Sequence, residues 1–200
     1  HRAGPLSRAS MLGGMSVEVR ACANEDELVE AFRTVEVAFG EESTEADIER
    51  SKATMPFDRV LVAVEGGRFV GVAAAVPYSV TIPGGELACP GVTWVGVLPT
   101  HRRRGVLTSM MRFQLDDIHA RGEPLAALWS SESLIYGRFG YGIPAPVYEL
   151  NAVKSRFGFR DDPGPVGSLR LVTREEAAEL MPPVYERIGA QRAGMPSRTK

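Results

Sequence analysis

The sequence predicts an α/β protein of the α+β type with a mixed sheet, and three observations support this. The apolar runs at 59–64 and 68–80 are joined through Glu65-Gly66-Gly67, a pattern typical of a tight hairpin. The run 91–99 is continuously apolar, as expected of a strand buried on both faces. A helical pattern follows it and leads to another apolar run at 125–130, which predicts a parallel βαβ unit.

Two helices are predicted before the first hairpin. Asn24 and Glu27 stand at capping-box spacing, and Gly40 ends the pattern that they open. The apolar stripe of this helix is formed by Leu28, Phe32, Val35 and Phe39. A shorter, more polar helix is predicted from Thr44 to Lys52.

The helix after the 91–99 strand has a buried stripe of its own and ends at Gly122, a C′ glycine. The members of that stripe are Leu107, Met110, Met111, Leu115 and Ile118. Residues 151–167 are rich in Gly, Pro and Asp and are interpreted as a linker. A strand at 168–172 and a helix opened by Thr173 and Glu176 follow, with Pro182 and Pro183 expected to interrupt the helix.

Composition limits the classes of function. The net charge of -2 and the pI near 6.0 do not indicate bulk affinity for nucleic acid or membranes. Two widely spaced cysteines predict neither a disulfide framework nor a metal site, and a cytoplasmic location is expected. Residues 1–14 lack periodicity and are interpreted as a tag remnant or disordered leader.

The segment THRRRGVLTSMM, residues 100–111, places three arginines and a glycine immediately before a predicted helix. A helix N-terminus offers unpaired backbone N–H groups and the positive end of a dipole. A glycine there lets a ligand approach the backbone, so the pattern predicts a phosphate or pyrophosphate site. A solvated basic surface is the alternative that charge alone leaves open.

Spacing adds a resemblance. Pro99, Arg102 and Gly105 form P-x-x-R-x-x-G, which resembles the coenzyme-A loop of the GNAT superfamily of N-acetyltransferases. VGVLPTHRRRGVLTSMM followed by PLAALWSSESLIYGRFGYG looks like the Eis (enhanced intracellular survival) acetyltransferases within it. The strong likeness covers residues 91–145. It implies a GNAT acyl-CoA N-acyltransferase fold with a central splayed strand pair.

The resemblance implies acetyl-CoA as the co-substrate, without a metal. The pyrophosphate would lie on loop and helix amides, and the strand backbone would hold the pantetheine and acetyl carbonyl, with a second contact after the next strand. The loop positions are Arg103, Arg104, Gly105, Val106, Leu107 and Thr108. The strand positions are Val95, Gly96 and Val97, and the second contact is Ser131 with Glu132. Core packing is the alternative for the valines.

Tyr136, in the family-like segment IYGRFGYG, is the expected general acid that protonates the departing thiolate. Tyr141 is its nearest rival. The acceptor is expected to be a small polycationic amine, aminoglycoside-like, or a lysine or polyamine. Its pocket would include Trp94, Trp129 and an acidic pair, Glu41 and Glu42, whose alternative is a solvated helix end. Close relatives carry histidine where Trp129 stands.

Eis-like chains are about twice as long, so residues 15–155 are interpreted as a GNAT domain and 156–200 as a linker and the start of a second, truncated GNAT-like domain. In that family the terminal carboxylate is the general base, which this chain would lack. The resemblance also implies a homo-oligomer, a hexamer in some relatives. A non-catalytic acyl-CoA-binding or regulatory domain is the alternative function, and nucleic-acid binding through the arginines is a third.

Overall fold

The computed structural model describes residues 7–12, 15–130, 132–144, 149–158, 161, 164 and 167–198. The strands within these residues are Ser7–Leu12 (β1), Met15–Ala21 (β2), Val60–Glu65 (β3), Arg68–Val76 (β4), Ser79–Ile82 (β5), Gly85–Ala88 (β6), Gly91–Val97 (β7) and Ala127–Leu128 (β8). The α-helices are Glu25–Phe39 (α1), Glu45–Thr54 (α2), Val106–Ala120 (α3) and Arg174–Gly189 (α4).

Six strands form one sheet in the order β1-β2-β3-β4-β7-β8. The first five pair antiparallel, whereas β7 and β8 pair parallel across the connection through α3. Strands β5 and β6 form a separate hairpin. The predicted mixed sheet and the β7–α3–β8 unit are therefore confirmed.

The N-terminal segment departs from the expectation of a disordered leader. Residues Ser7–Leu12 form β1, which pairs antiparallel with β2 from Ser7 opposite Arg20 to Leu12 opposite Met15. The expectation of disorder does not hold for Ser7–Leu12, whereas the interpretation of residues 1–14 as a tag remnant stays a prediction. The physical reason for the pairing is that β2 presents an edge with free backbone groups, and almost any extended segment can pair with such an edge.

Helix α1 begins where the sequence predicts, although its capping differs in detail. The side chain of Asn24 accepts the N–H of Glu27 at 3.0 Å. The carboxylate of Glu27 accepts the N–H of Ala23 and binds the guanidinium of Arg20 at 2.7 Å through both oxygens. This ion pair connects the start of α1 to the end of β2.

Two apolar clusters lie on opposite faces of the sheet. On one face α1 packs against β4 and β7, with Leu28, Ala31 and Val35 buried. On the other face α3 packs on β2, β3 and β4 through Val106, Met110 and Phe113. The sheet is therefore covered on both sides, and this fixes the start of α3 against the end of β7.

A buried ion pair holds the far end of α3. The guanidinium of Arg59, only 5% exposed as a residue, donates to both carboxylate oxygens of Glu123 at 3.0 and 2.8 Å and to the carbonyl of Ala75 at 3.3 Å. Because Glu123 follows α3 and Ala75 lies in β4, this contact fastens the helix to the sheet.

The chain divides into two compact units, His1–Glu132 with Gly189–Lys200, and Ser133–Ile188. The division differs from the boundary predicted after residue 155, which stays a prediction. In the second unit, residues 168–172 are not the predicted strand, because no neighbouring strand among the described residues of this unit pairs with them.

Helix α4 contains Pro182 and Pro183 without ending there, so the predicted interruption is wrong. It opens with the predicted capping box. Thr173 donates its N–H to the carboxylate of Glu176 at 3.0 Å and accepts the N–H of Glu176 at 3.2 Å. Most of the helix is exposed, including Met181 and Val184.

The segment after α4 returns to the first unit. Residues Gly194, Met195 and Ser197 exchange backbone hydrogen bonds with Ser79 and Thr81 of β5. Residues 194–197 therefore extend the β5–β6 hairpin within the first unit. No helix among the described residues has the length and apolar character that crossing a membrane requires.

Candidate functional site

Strand β7 contains an irregularity at the predicted pantetheine-binding positions. Val72 of β4 lies opposite Gly96, whereas Ala74 lies opposite Thr93. Trp94 and Val95 therefore face the single residue Ala73, which is a β-bulge. Trp94 has a φ of 55°, a conformation that costs a bulky residue about 1–3 kcal/mol. Bulges of this kind are common next to active sites, where they interrupt pairing.

The pairing of β7 with β8 is short. Gly91 and Val92 pair with Ala127 and Leu128, and β8 ends there. The rest of β7, from Thr93 to Val97, has no strand partner on that side among the described residues. This is the predicted splay, although β8 is an edge strand of the described sheet rather than a central one.

The three strand positions have different surroundings. A Cβ built on Gly96 would lie 2.9 Å from the Cβ of Ala38, so the approach of α1 requires a glycine there. Val97 packs on the α3 side of the sheet, and Val95 is partly buried in the bulge. Packing thus explains the side chains at 96 and 97, while the backbone at the bulge is left for another role.

The basic loop presents a row of amides. Pro99–His101 forms a 3₁₀ turn, and Gly105, the N-cap of α3, has a φ of 80°. The first hydrogen bond of the helix runs from the N–H of Ser109 to the carbonyl of Gly105, at 3.0 Å. The amides of Val106, Leu107 and Thr108 therefore precede the helical pattern, and glycine provides no side-chain cap for them.

Arg102, the arginine of the P-x-x-R-x-x-G pattern, is a structural residue. It donates to the carbonyl of Val97 at 3.3 Å and to that of Ala38 at 3.0 Å. Ala38 lies in the last turn of α1, where carbonyls lack helical partners. Arg102 therefore joins the end of β7 to the end of α1.

Arg104 and His101 both contact Glu65, at the end of β3. Arg104 donates to the two oxygens of Glu65 at 2.7 and 3.4 Å, and Nε2 of His101 lies 2.9 Å from Oε2. The other ring nitrogen of His101 lies 2.7 Å from the hydroxyl of Thr100. Of the three loop arginines, Arg104 is thus ion-paired, whereas Arg102 is bonded to neutral carbonyls.

Arg103 differs from its neighbours. Its side chain is exposed, its φ is 59°, and no hydrogen bond or ion pair joins it to another described residue. It is the loop arginine whose charge is open to an anionic ligand.

Tyr136 lies in the second unit, between two 3₁₀ turns. Its carbonyl accepts the N–H of Phe139 at 2.9 Å, and its ring meets that of Tyr141 edge to face at 6.1 Å. Tyr141, the rival candidate, therefore packs with Tyr136 itself. The role of Tyr136 as general acid stays a prediction.

The two predicted acceptor tryptophans differ in environment. Trp94 meets Phe32 of α1 edge to face at 5.3 Å and packs against the core. Trp129 is 81% exposed just after β8. Of the second cofactor contact, Glu132 donates its N–H to the hydroxyl of Ser130 at 3.0 Å. Ser131 lies outside the described residues.

Glu41 and Glu42 follow the C-terminus of α1 and line an open concavity of about 580 Å³. Glu36 and Ser43 line it too, and Glu36 accepts the N–H of Ser43 at 2.7 Å. The left-handed Gly40, at a φ of 72°, ends the helix and starts this turn. The concavity carries three carboxylates beside the negative end of a helix, which favours a cation.

A family model of the acetyltransferase (GNAT) domain matches residues 18–144. The chain belongs to the GNAT acetyltransferase family. The fold class expected from the sequence is thereby confirmed. GNAT domains use acetyl-CoA as acetyl donor.

Relatives of this GNAT domain are longer proteins. An uncharacterised N-acetyltransferase of Streptomyces avermitilis is 45% identical over 143 residues, 70% of this chain and 35% of the relative. Eis of Mycobacterium tuberculosis is 38% identical over 146 residues, 68% of this chain and 36% of its own. The structure of Eis1 from Mycobacterium abscessus matches with a TM-score of 0.69 at 29% identity, over 92% of this chain and 45% of that one. The chain thus spans between a third and a half of these proteins.

The GNAT domain offers no activated thiol. Burial raises the pKa of Cys22 to about 12 and also raises that of Cys89, so neither is a ready thiolate nucleophile. Among the residues that the structure describes, no group of three or more His, Cys, Asp or Glu side chains is arranged to hold a metal ion.

Sequence reasoning missed two parts of this site. Glu65 was interpreted only as a hairpin residue, and Ala38 was not assigned to the site. Glu65 lies 36 residues before His101 and 39 before Arg104, so no local pattern joins them. The signal that could have found Glu65 is its position at a hairpin tip, where a carboxylate is free to reach a neighbouring loop.

Proposed function

We propose that this GNAT domain transfers the acetyl group of acetyl-CoA to an amine of a small polycationic acceptor of the aminoglycoside type, with protein lysine and polyamines as alternative acceptors. The observation that supports the proposal is the loop from Arg103 to Thr108, which combines amides without a side-chain cap at the start of α3 with one exposed arginine that has no partner among the described residues. That arrangement suits a pyrophosphate.

The unpaired stretch of β7 supports the donor side of the proposal. Its bulge at Trp94 and Val95 leaves backbone groups for the pantetheine and the thioester carbonyl. An N–H directed at that carbonyl stabilises the negative charge that develops on its oxygen during attack. Only backbone is needed, which agrees with the packing roles of the side chains at Gly96 and Val97.

The chemistry is attack of a neutral amine on a thioester. A C–N bond forms, the C–S bond breaks, and the sulfur leaves with the electron pair. We assign the proton that this sulfur takes up to the hydroxyl of Tyr136, on the strength of the segment IYGRFGYG. The proton lost by the amine goes to a general base, which the residues assigned here do not include.

The acidic concavity at Glu36, Glu41 and Glu42 supports a cationic acceptor. Carboxylates attract an ammonium group, and the nearby C-terminus of α1 adds to the same field. We assign Trp94 and Trp129 to the acceptor side as well, where aromatic faces bind cations. The expected homo-oligomer and cytoplasmic location stay predictions.

Calorimetric titration with acetyl-CoA and with acetyl-pantetheine, which lacks the phosphates, tests the donor site. We expect acetyl-CoA to bind at least about tenfold more tightly, because several charge-assisted hydrogen bonds to phosphate are lost otherwise. Equal affinities would contradict the assignment of the loop.

Tyr136→Phe tests the catalytic assignment. Loss of a general acid is expected to lower acetyl transfer to an aminoglycoside about 10²–10⁴-fold while acetyl-CoA still binds. Tyr141→Phe is the matched control and should retain activity. A fully active Tyr136→Phe variant would remove Tyr136 from the mechanism, and a chain that binds acetyl-CoA but never turns over would favour the non-catalytic alternative.

A further inference from the structure

Glu65 connects the β3–β4 hairpin to the basic loop. Gly66 and Gly67, with φ values of 56° and 76°, form the tight turn that directs the end of β3 towards the loop. The side chain of Glu65 is only 9% exposed, and its carboxylate contacts both His101 and Arg104. The 3₁₀ turn and the residue before Gly105 are thereby held by a single side chain.

The contacts of Glu65 are strong enough to define a geometry. Partial desolvation alone would raise the pKa of this carboxyl, but the hydrogen bonds from Arg104 and His101 outweigh it and hold the pKa below its usual value. Glu65 is therefore ionised at neutral pH, and its bonds to Arg104 are charge-assisted. Arg68, the other charged residue next to the hairpin turn, lies opposite Glu65 in the β3–β4 ladder, and its side chain is exposed.

The charge of Glu65 is of the wrong sign for an anion site. A carboxylate beside the loop repels phosphate. It also engages the guanidinium of Arg104, which is then not available to bind the ligand. If the loop were only an accumulation of positive charge, removing Glu65 would improve it. A largely buried acid at this place is therefore better explained by a role in the geometry of the loop.

We propose that Glu65 is a positioning residue for acetyl-CoA: by holding His101 and Arg104, it sets the backbone of the loop so that the amides from Arg103 to Thr108 converge on the pyrophosphate. This inference rests on the proposed function. In it, Arg103 is the side chain that reaches the ligand, whereas Arg102 and Arg104 hold the loop from its two ends, on Ala38 and on Glu65.

Glu65→Gln separates geometry from charge. The variant keeps the shape of the side chain, removes one negative charge and weakens the bonds to Arg104. We expect acetyl-CoA to bind about tenfold more weakly, the equivalent of one charge-assisted hydrogen bond, and acetyl-pantetheine to bind as in the wild type. Because simple electrostatics predicts tighter binding, unchanged or increased affinity for acetyl-CoA would overturn the proposal.

Two further variants sharpen the test. Glu65→Asp keeps the charge but is one methylene too short to contact both partners, so it should also weaken acetyl-CoA binding. Arg104→Gln should have a smaller effect in the Glu65→Gln background than in the wild type, since the contact is already weakened there. Full additivity of the two changes would show that Glu65 does not act through Arg104.

Glu27→Gln is the matched control, because it breaks an equally close carboxylate–arginine pair at the opposite end of α1. Glu27→Gln should leave the affinities for acetyl-CoA and acetyl-pantetheine unchanged. If it weakened acetyl-CoA binding as much as Glu65→Gln does, the effect of Glu65→Gln would be explained by general destabilisation of the fold. Failure of the proposed function is distinguishable: the wild type would then not prefer acetyl-CoA to acetyl-pantetheine. Circular dichroism checks that each variant is folded, and Glu65→Asp carries the test if Glu65→Gln is not.

Discussion

Gly96 and Arg102 show how single residues of the loop and strand are determined by the neighbouring helix. Gly96 has no room for a side chain against Ala38, and Arg102 binds the carbonyl of the same alanine. The end of α1 therefore determines how closely β7 can approach the helix and also where the loop lies. Neither role is visible in the sequence, because residue 38 and these two residues are about sixty positions apart.

Gly96→Ala is expected to lower the free energy of unfolding by roughly 1–3 kcal/mol, because the added methyl overlaps with the Cβ of Ala38. Ala38→Gly creates space at the same contact, at about 1 kcal/mol of helix propensity. In urea unfolding, the double variant should lose less free energy of unfolding than the sum of the losses in the two single variants. Strict additivity would show that the two residues do not touch.

At the scale of elements, α3 and α4 are both amphipathic helices of similar length but differ in their surroundings. Six residues of α3 are buried by the sheet, whereas α4 buries only Gly189 among its residues. The apolar stripe that predicts α3 and the capping box that predicts α4 both indicate a helix, but neither shows what covers its apolar face. The predicted stripe of α3 also differs from the observed one, because the polar Gln114 is buried beside Leu115, which was expected to be buried.

A matched pair of methionines tests this difference. Met110 in α3 is fully buried and Met181 in α4 is 67% exposed. Met110→Ala is expected to cost about 2–5 kcal/mol through the cavity that it leaves, and Met181→Ala less than about 0.5 kcal/mol. Thermal or denaturant unfolding measures both, and equal losses would mean that the face of α4 is covered in solution.

At the scale of the whole molecule, the stability of the fold depends on ionised carboxylates. The hydrogen bond from Arg20, then that from the N–H of Ala23, lowers the pKa of Glu27 despite some burial, and the pKa values of Asp47 and Glu65 are lowered too. A carboxyl with a lowered pKa stabilises the folded state above its ordinary pKa. That stabilisation is lost as the pH falls through the folded-state value.

We therefore expect the free energy of unfolding to fall as the pH drops below about 4.5, the ordinary value for Glu27. Glu27→Gln should be less stable than the wild type at pH 7, and the difference should shrink in acid, where both side chains are uncharged. Urea unfolding between pH 7 and pH 3 measures this. A difference that stays constant over the range would rule out the Arg20–Glu27 pair as its source.

The sequence predicted the features that depend on neighbouring residues and missed those that depend on distant ones. The caps at Asn24 and Thr173, the Gly66-Gly67 turn and the glycine before α3 are local and were identified correctly. The pairing of β1 with β2 and the return of the chain to β5 need an open strand edge, which no pattern records. For the site, the motif located the loop, while the partners of its arginines required the fold.

The bulge in β7 has a consequence for how this protein can vary. Side chains alternate between the two faces along a strand, so the extra residue at 94–95 resets the parity of all that follows. If the pairing of Gly91–Thr93 is kept, deleting one residue of the bulge would bring Val97, and inserting one there would bring Val95, to the place of Gly96 opposite Ala38, where even a methyl group has no room. We therefore expect a change in the length of this strand to be tolerated only together with a compensating change at the end of α1.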